Sequence, residues 1–438
     1  MTDVVVAGGG LAGLVAARHL AAAGLDVTLF EADEAVGGRV GSREREGFVL
    51  DRGFQVLFTA YPAARRELDL DALDLRRFTP GATIARPGRR SVLSDPRRDL
   101  WGLSSTLFNR DVRTADKLRL YRLQRELRRA DPATLLEAGG ETIREFLADQ
   151  GFSTAFVERF AAPFYGGITL DRSLGTDSGV FQYTFKMLVE GATAVPAGGM
   201  GAIPAQLRER AAAAGARIET GRRVSDLHAS GAPEGDAGAS LGDSDTGSGR
   251  QGEVTVTVGG EHVTADAAVV ATDPRTAADL TGVETSTGRK GCVTLHAALP
   301  SGSAPDVGKR IVLNAAGDRP NQVAHLSAVA PEYAPDGQEL FSATFLGERD
   351  ETDDELFAAV RDAFASWYPE ARVAGLEPLA VDRVPFAQFP QPPGFRETLP
   401  AVDAPDGPVV LAGDYTRWSS IQGALESGRV AASELLAG

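Results

Sequence analysis

The chain has 438 residues, 43% of them hydrophobic, which is enough for two domains and a sizeable core. A net charge of −15 and a pI of about 4.9 disfavour nucleic-acid binding and electrostatic docking to anionic lipid, while leaving room for an apolar contact with a membrane. The single cysteine, Cys292, excludes an internal disulfide and suits a reducing, cytoplasmic setting.

The first element begins almost at once, with no basic leader before it, so no signal peptide is expected. No apolar run approaches the ~20 residues of a membrane span. Residues 4–7 (VVVA) read as a buried parallel strand. Gly8, Gly10 and Gly13 follow at G-x-G-x-x-G spacing, and a helix is expected over 11–23. Gly8 permits the tight turn, Gly10 lets a pyrophosphate approach, and Gly13 lets helix and strand pack closely. The amides of Leu11 and Ala12 open the helix at its positive dipole end, which attracts phosphate. Glu31, followed by Ala32, ends the next strand at the offset of a ribose-binding carboxylate. Strand, glycines, helix, strand and acid in that order predict dinucleotide binding, without separating flavin from nicotinamide.

Further along, Leu120, Leu123 and Leu127 repeat at helical spacing, and Thr142 with Glu145 forms a capping-box pattern. Residues 54–195 are expected to hold helices. Phe152, Phe156 and Phe160 lie one helical turn apart in a segment rich in aromatic residues. Such a stripe is more often domain core than tunnel, yet it permits a long apolar pocket. Gly198-Gly199-Met200-Gly201 opens a helix expected over 203–214, with a turn and a strand to Val224. Residues 229–252 are Gly, Ser, Asp and Ala with almost no large apolar side chain, and read as a flexible acidic insertion. Strands at 254–258 and 262–265 flank a Gly259-Gly260 hairpin turn. Residues 267–272 form a buried strand that stops at Asp273-Pro274. Residues 286–395 alternate strands (292–299, 340–346) with a helix over 353–367. The chain closes with a buried strand at 409–412, then Gly413-Asp414 and a helix from about Ile421. Five histidines (His19, His228, His262, His296, His325) lack ligand spacing, and no metal site is expected.

Glu31 is followed by Val36-Gly37-Gly38-Arg39-Val40 and then Asp51-Arg52-Gly53. This stretch resembles the flavin amine oxidase, protoporphyrinogen oxidase and phytoene desaturase superfamily. The resemblance implies FAD as cofactor, with Gly37, Gly38 and Gly53 near it and Arg39 by the pyrophosphate and flavin. It implies that Val224 meets the adenine through its backbone. Asp414, after Gly413, would accept from the ribityl chain, and the backbone of Ile421 and Gln422 would meet the pyrimidine edge of the flavin. A helix N-terminus placed there stabilises the negative charge of the reduced ring. The implied fold is α/β: a Rossmann-type FAD-binding domain, with parallel sheet and β-meander, assembled from 1–53, 196–285 and 396–438. An α+β substrate domain, 54–195 and 286–395, is inserted into it.

Residues 163–168 (PFYGGI), 196–201 (PAGGMG) and 411–416 (LAGDYT) look more like the carotenoid desaturase branch. Amine oxidases commonly place a tyrosine just before the final helix; here that position is Ser420, after Trp418-Ser419. Lys290 stands near the position of their lysine by flavin N5, but it reads more naturally as a strand-edge lysine. The expected function is transfer of a hydride equivalent from a small, apolar, polyene-like substrate to flavin N5. Oxygen, a quinone or a nicotinamide would then reoxidise the flavin. Amine or porphyrinogen oxidation on the same scaffold, a nicotinamide-only dehydrogenase and a non-catalytic flavin-bound scaffold are the alternatives.

Overall fold

The computed structural model describes residues 3–94, 112–230, 252–286, 288–369 and 373–437. One sheet is parallel throughout, in the spatial order Arg217–Glu219, Asp26–Phe30, Asp3–Ala7, Ala267–Val270 and Val409–Leu411. Residues 4–7, 267–270 and 409–411 are buried at every position, as expected of strands covered on both faces. The helices Leu11–Ala22 and Ile421–Ala437 pack together against this sheet. Gly428 permits that approach, since a Cβ there would lie 2.1 Å from the carbonyl oxygen of Ala12. An antiparallel meander, Val224–Ser230, Glu253–Val258 and Glu261–Ala265, packs on the sheet as well.

A second, mixed sheet has seven strands in the order Glu377–Gln388, Lys290–Pro300, Gln338–Leu346, Gln322–His325, Ile311–Asn314, Ala82–Arg86 and Arg89–Leu93. The helix Asp353–Trp367, opened by a Thr352/Glu355 capping box, buries Leu356, Val360, Phe364 and Trp367 in an apolar cluster with that sheet. The helices Thr114–Arg129, Pro132–Glu137, Ile143–Asp149, Ala162–Thr169 and Ser178–Glu190 lie between the two sheet systems in sequence.

Several elements differ from expectation. The block read as helical also contributes the hairpin Ala82–Arg86/Arg89–Leu93, which extends the second sheet at its edge. The stretch ending at Val224 is two strands, not one: Arg217–Glu219 pairs in the parallel sheet, and Val224 begins the meander. Asp273-Pro274 stops a strand but also starts the helix Pro274–Thr281, because the Asp273 carboxylate accepts from the amides of Arg275 and Thr276. Most of the acidic insertion expected at 229–252 lies outside the described residues; Ala229 and Ser230 complete a meander strand.

Candidate functional site

The two ends of the chain meet in one cavity of about 950 Å³. Its wall includes Gly8, Gly10, Leu11, Ala12, Glu31, Ala32, Gly37, Gly38, Arg39, Gly53, Val224, Gly413, Asp414 and Ile421. The four strand ends that feed it, at Ala7, Phe30, Val270 and Leu411, belong to neighbouring parallel strands, so the cleft sits at the carboxyl edge of the sheet. Gly8 has φ +107°, and a Cβ there would meet the carbonyl oxygen of Ala271 at 2.6 Å. A Cβ on Gly10 would meet nothing within 4 Å, because that side faces the open cleft. Gly10 caps the helix Leu11–Ala22 with no side-chain hydrogen bond and no acid in the first turn, leaving the amide end for an anion. The buried Glu31 carboxylate accepts from the amides of Gly9 at 2.6 Å and Asp33 at 2.8 Å, which fixes it at the cleft edge with further acceptor capacity.

Arg39 ties the cavity together. Its guanidinium makes a two-pronged pair with Asp414, at 3.0 and 2.6 Å, and donates to the carbonyl oxygen of Ala387 at 3.2 Å. It also sits 5.2 Å from the centroid of Phe386. The Asp414 carboxylate is 2% exposed and also accepts from the Ser419 hydroxyl at 2.9 Å. First motif, last motif and second sheet thus converge on one ion pair, whereas the sequence reading gave Arg39 and Asp414 separate tasks.

Gly13, Gln422 and Lys290 do not line the cavity. Gly13 is a packing residue: a Cβ there would lie 2.0 Å from the Gly8 carbonyl oxygen. The Gln422 side chain is buried and accepts from the Ala63 amide at 2.8 Å, so it is engaged away from the cavity. Ser420, which does belong to the cavity wall, caps that helix by accepting from the Gly423 amide at 2.8 Å. Lys290, the catalytic candidate, is held outside the wall by Asp171 at 3.2 Å, the Thr169 carbonyl at 3.3 Å and the Thr176 hydroxyl at 3.4 Å. This matches the strand-edge reading and gives no support to a role beside the flavin. Wall residues that sequence reasoning missed include Arg52, Phe386 and Gln391; only Arg52 carried a signal, as the neighbour of Gly53.

The far half of the cavity is apolar, lined by Phe54, Val56, Phe78, Leu120, Phe160, Phe164, Ile168, Val180, Phe185 and Leu188. The aromatic stripe serves as both core and wall. Phe152 and Phe156 stack in the core at 4.5 Å, and the series continues to Phe160 at 5.4 Å and Phe164 at 5.3 Å, which reach the cavity. A π-helical turn at Val157–Ala161 widens the helix there. Its wider turn offsets the angular drift of an every-fourth-residue row, so one face carries the rings from core to cavity. The carboxylates of the wall are Glu31, Asp33, Asp273 and Asp414, each just beyond a strand of the parallel sheet. Among the described residues, none stands in the apolar half.

The donor set fits a flavin dinucleotide: a cradle open at Gly10, an uncapped helix start, an acid at the ribose position, and a second helix start at Ile421 on the same cavity. Comparison with known proteins agrees. The model of the flavin containing amine oxidoreductase family matches residues 11–436. A phytoene dehydrogenase of Streptomyces griseus is 32% identical over 259 residues, covering 52% of this chain and 49% of that protein. A putrescine oxidase of Kocuria rosea is 53% identical over 91 residues, 20% of this chain and 19% of that one. The chain thus spans about half or less of the length of these curated relatives. Among solved structures, an oxidoreductase from Methanosarcina mazei superposes with a TM-score of 0.71 at 19% identity, covering 98% of this chain and all of the other (100%). A putrescine oxidase bound to putrescine gives 0.69 at 17%, covering 100% and 99%; at these identities the likeness is one of fold. The chain belongs to the flavin containing amine oxidoreductase family.

Proposed function

We propose that this chain is an FAD-dependent oxidoreductase that oxidises an apolar, unsaturated, polyene-like compound. In this reading Gly8, Gly10, Leu11 and Ala12 hold the pyrophosphate of FAD, and Glu31, Ala32 and Val224 its adenosine. Gly37, Gly38, Gly53, Gly413, the Arg39–Asp414 pair and the amides of Ile421 and Gln422 hold the remainder. FAD, when bound, supplies the two-electron acceptor. The chain's own task is then to align the substrate and exclude water. The observation that carries the reading is the apolar half of the cavity, where Phe160, Phe164 and Phe185 form the wall and no described carboxylate is present to balance a substrate ammonium. The names of two relatives point the same way, the phytoene dehydrogenase above and a carotenoid 3,4-desaturase of Haloarcula japonica, 40% identical over 87 residues. Oxygen, a quinone or a nicotinamide remains the acceptor class. A reducing, cytoplasmic setting is part of the proposal, supported by the single buried cysteine. The test is anaerobic bleaching of the flavin-loaded protein by a detergent-dispersed polyene, by putrescine and by a porphyrinogen. Bleaching by the polyene is expected; bleaching by an amine or the porphyrinogen alone refutes the reading.

A further inference from the structure

The two faces of the second sheet differ in character. Val293, Leu295, Phe341 and Phe345 join the apolar cluster closed by the helix Asp353–Trp367. The alternate residues point the other way, and the cavity takes Cys292 and Gln322 from that face into its wall. Behind these two the face is polar. Thr294 stands opposite Thr344, and His296 opposite Ser342. All four are 3% exposed or less, yet their three hydroxyls and Nδ1 of His296 have no hydrogen-bond partner among the described residues. The Cys292 thiol, which burial pushes up to about 11, is at most a weak partner for Thr294. Four such atoms on successive rungs are costly to bury dry, whereas a water among them would find the two to four partners that buried water needs.

His296 is set to take a proton at the end of this row. Its Nε2 lies 3.2 Å from the carbonyl oxygen of Asp51 and 3.5 Å from the Asp382 carboxylate. Burial raises the Asp382 carboxyl, but the hydrogen bonds from His296 and Arg43 outweigh it and hold the group below its ordinary value, so it is ionised. Both neighbours of Nε2 therefore accept and neither donates. The ring hydrogen sits on Nε2, and Nδ1 carries the free lone pair. A proton arriving at Nδ1 makes an imidazolium whose Nε2–H already faces a carboxylate. Of the other charged groups at the ring, Arg43 pairs with Asp382 at 2.8 Å. The Asp51 carboxylate is engaged by the Ser42 hydroxyl, the Met200 amide and the Tyr333 hydroxyl.

We propose that this row holds ordered water and that His296, acting through it, is the base for the proton released when substrate is oxidised. Turning a C–H pair into a double bond gives up one hydrogen as hydride to the acceptor and the other as a proton; the electron pair that proton leaves behind becomes the new bond. The described wall has no imidazole, and its apolar half no carboxylate, to take that proton. The row begins at the wall: the Thr294 hydroxyl lies 3.9 Å from the place a Cβ on Gly53 would occupy. From Cys292 to His296 is roughly 13 Å of strand, a span of a few waters. Oxygen or a quinone takes up two electrons with two protons, which returns His296 to its neutral form. With a nicotinamide the proton leaves to solvent past Asp382, whose side chain is 16% exposed. The inference rests on the oxidoreductase reading but not on the polyene, because oxidation of an amine to an imine also releases a proton.

Two measurements need no flavin. Nitrogen NMR at neutral pH should place the His296 ring hydrogen on Nε2, with the signal assigned by its loss in His296→Gln. Thr344→Val should lower the urea midpoint, because the hydroxyl is held by water; a dry hydroxyl would make the same change raise it. In the flavin-loaded protein, the rate of anaerobic bleaching by substrate should fall on the acid side, where the ring is protonated in advance. His296→Gln keeps an N–H for the Asp51 carbonyl but has no base. It should bleach about 100-fold more slowly, lose the acid limb and keep its FAD affinity. Thr294→Val, which interrupts the row and leaves the ring, should also slow bleaching. A raised midpoint in Thr344→Val, the hydrogen on Nδ1, or a wild-type rate and pH profile in His296→Gln overturns the proposal. Bleaching by an amine or a porphyrinogen and not by the polyene refutes the substrate reading alone, and the variants are then compared with that donor. If no donor bleaches the flavin, the oxidoreductase reading fails, while the two flavin-free measurements still decide the water row.

Discussion

Gly10 and Gly13 belong to one motif, yet the structure predicts opposite consequences for the same methyl group. Gly10 has φ −69° and ψ 179°, an extended conformation open to any residue, and its Cβ would point into empty cleft. In the flavin-free protein, Gly10→Ala gains ~0.4–1 kcal/mol by restricting the unfolded chain. It loses a comparable amount because alanine is a poorer N-cap than glycine. Stability should therefore stay within about 0.5 kcal/mol of wild type. The methyl group instead occupies the space a pyrophosphate must enter, and overpacking of ~1–3 kcal/mol corresponds to roughly 5- to 150-fold weaker FAD binding. In Gly13→Ala the Cβ would stand 2.0 Å from the Gly8 carbonyl oxygen, and the helix must retreat from the strand–turn by more than an ångström. Against a helix-propensity gain of ~1 kcal/mol, the loss of packing along the fully buried Leu14, Val15, Ala16 and Ala17 leaves a net destabilisation of about 2 kcal/mol or more. The assays are urea denaturation of the flavin-free proteins by circular dichroism and FAD titration by quenching of flavin fluorescence. The reasoning is refuted if Gly10→Ala destabilises the flavin-free fold while keeping FAD affinity, or if Gly13→Ala leaves stability untouched.

Other residues give sharper tests of individual contacts. A double-mutant cycle on Arg39→Ala and Asp414→Asn should report a coupling of about 2 kcal/mol. That is half the ~4 kcal/mol of a close pair at an effective dielectric of 20, because the Arg39 side chain is 33% exposed. The Ala387 and Phe386 contacts of Arg39 cancel in the cycle, and a coupling near zero in urea denaturation would refute a stabilising Arg39–Asp414 pair. Lys290→Met should leave FAD-linked turnover intact and lower thermal stability, since its partners are structural; loss of turnover in a folded, flavin-loaded variant would restore its catalytic candidacy. Burial raises the Glu67 carboxyl, but the hydrogen bond from His19 and the charges of His19 and Arg18 outweigh it and hold the group below its ordinary value. Its share of stability is therefore present above the unfolded value of ~4.3 and lost as pH falls through the lower folded value. Thermal melts between neutral pH and pH ~3 should show this acid-side loss, and Glu67→Gln should flatten it.

What was legible in the sequence was local. Gly8, Gly10 and Gly13 act within one turn, so their spacing carries their geometry, and the Thr142/Glu145 capping box forms as its four-residue pattern implies. The Gly259-Gly260 hairpin likewise forms between the two strands expected. What was not legible depended on distant partners. Arg39 and Asp414 are 375 residues apart, and nothing in either motif says that the two would bind each other. The expectation at Gln422 concerned its backbone and left the side chain open; that direction is set by the Ala63 amide on another helix. Lys290 lies in the region expected of a catalytic lysine, but three oxygens on a neighbouring segment hold it aside. The edge hairpin at 82–93 did leave a trace, a Pro87-Gly88 turn between short alternating runs, which the helical reading of the block obscured.

Charge illustrates the same limit and bears on substrate choice. The four wall carboxylates all follow strands of the parallel sheet, a position that the dinucleotide-binding fold itself creates for acids facing ribose, amide and guanidinium groups. Their presence in the cavity says nothing of the substrate. Much of the remaining wall comes from Phe54 to Phe78, the helix Thr114–Arg129, the aromatic helices and the second sheet. It is here that a substrate ammonium would require a counter-ion, because desolvating an unpaired charge against phenylalanine rings is costly. An amine bound here as its ammonium ion would therefore need a carboxylate or a cation–π cage built into this half. Introducing a carboxylate by Phe164→Asp should depress turnover of a polyene. A rise in polyene turnover in that variant would show that the rings are packing residues and that the substrate lies elsewhere.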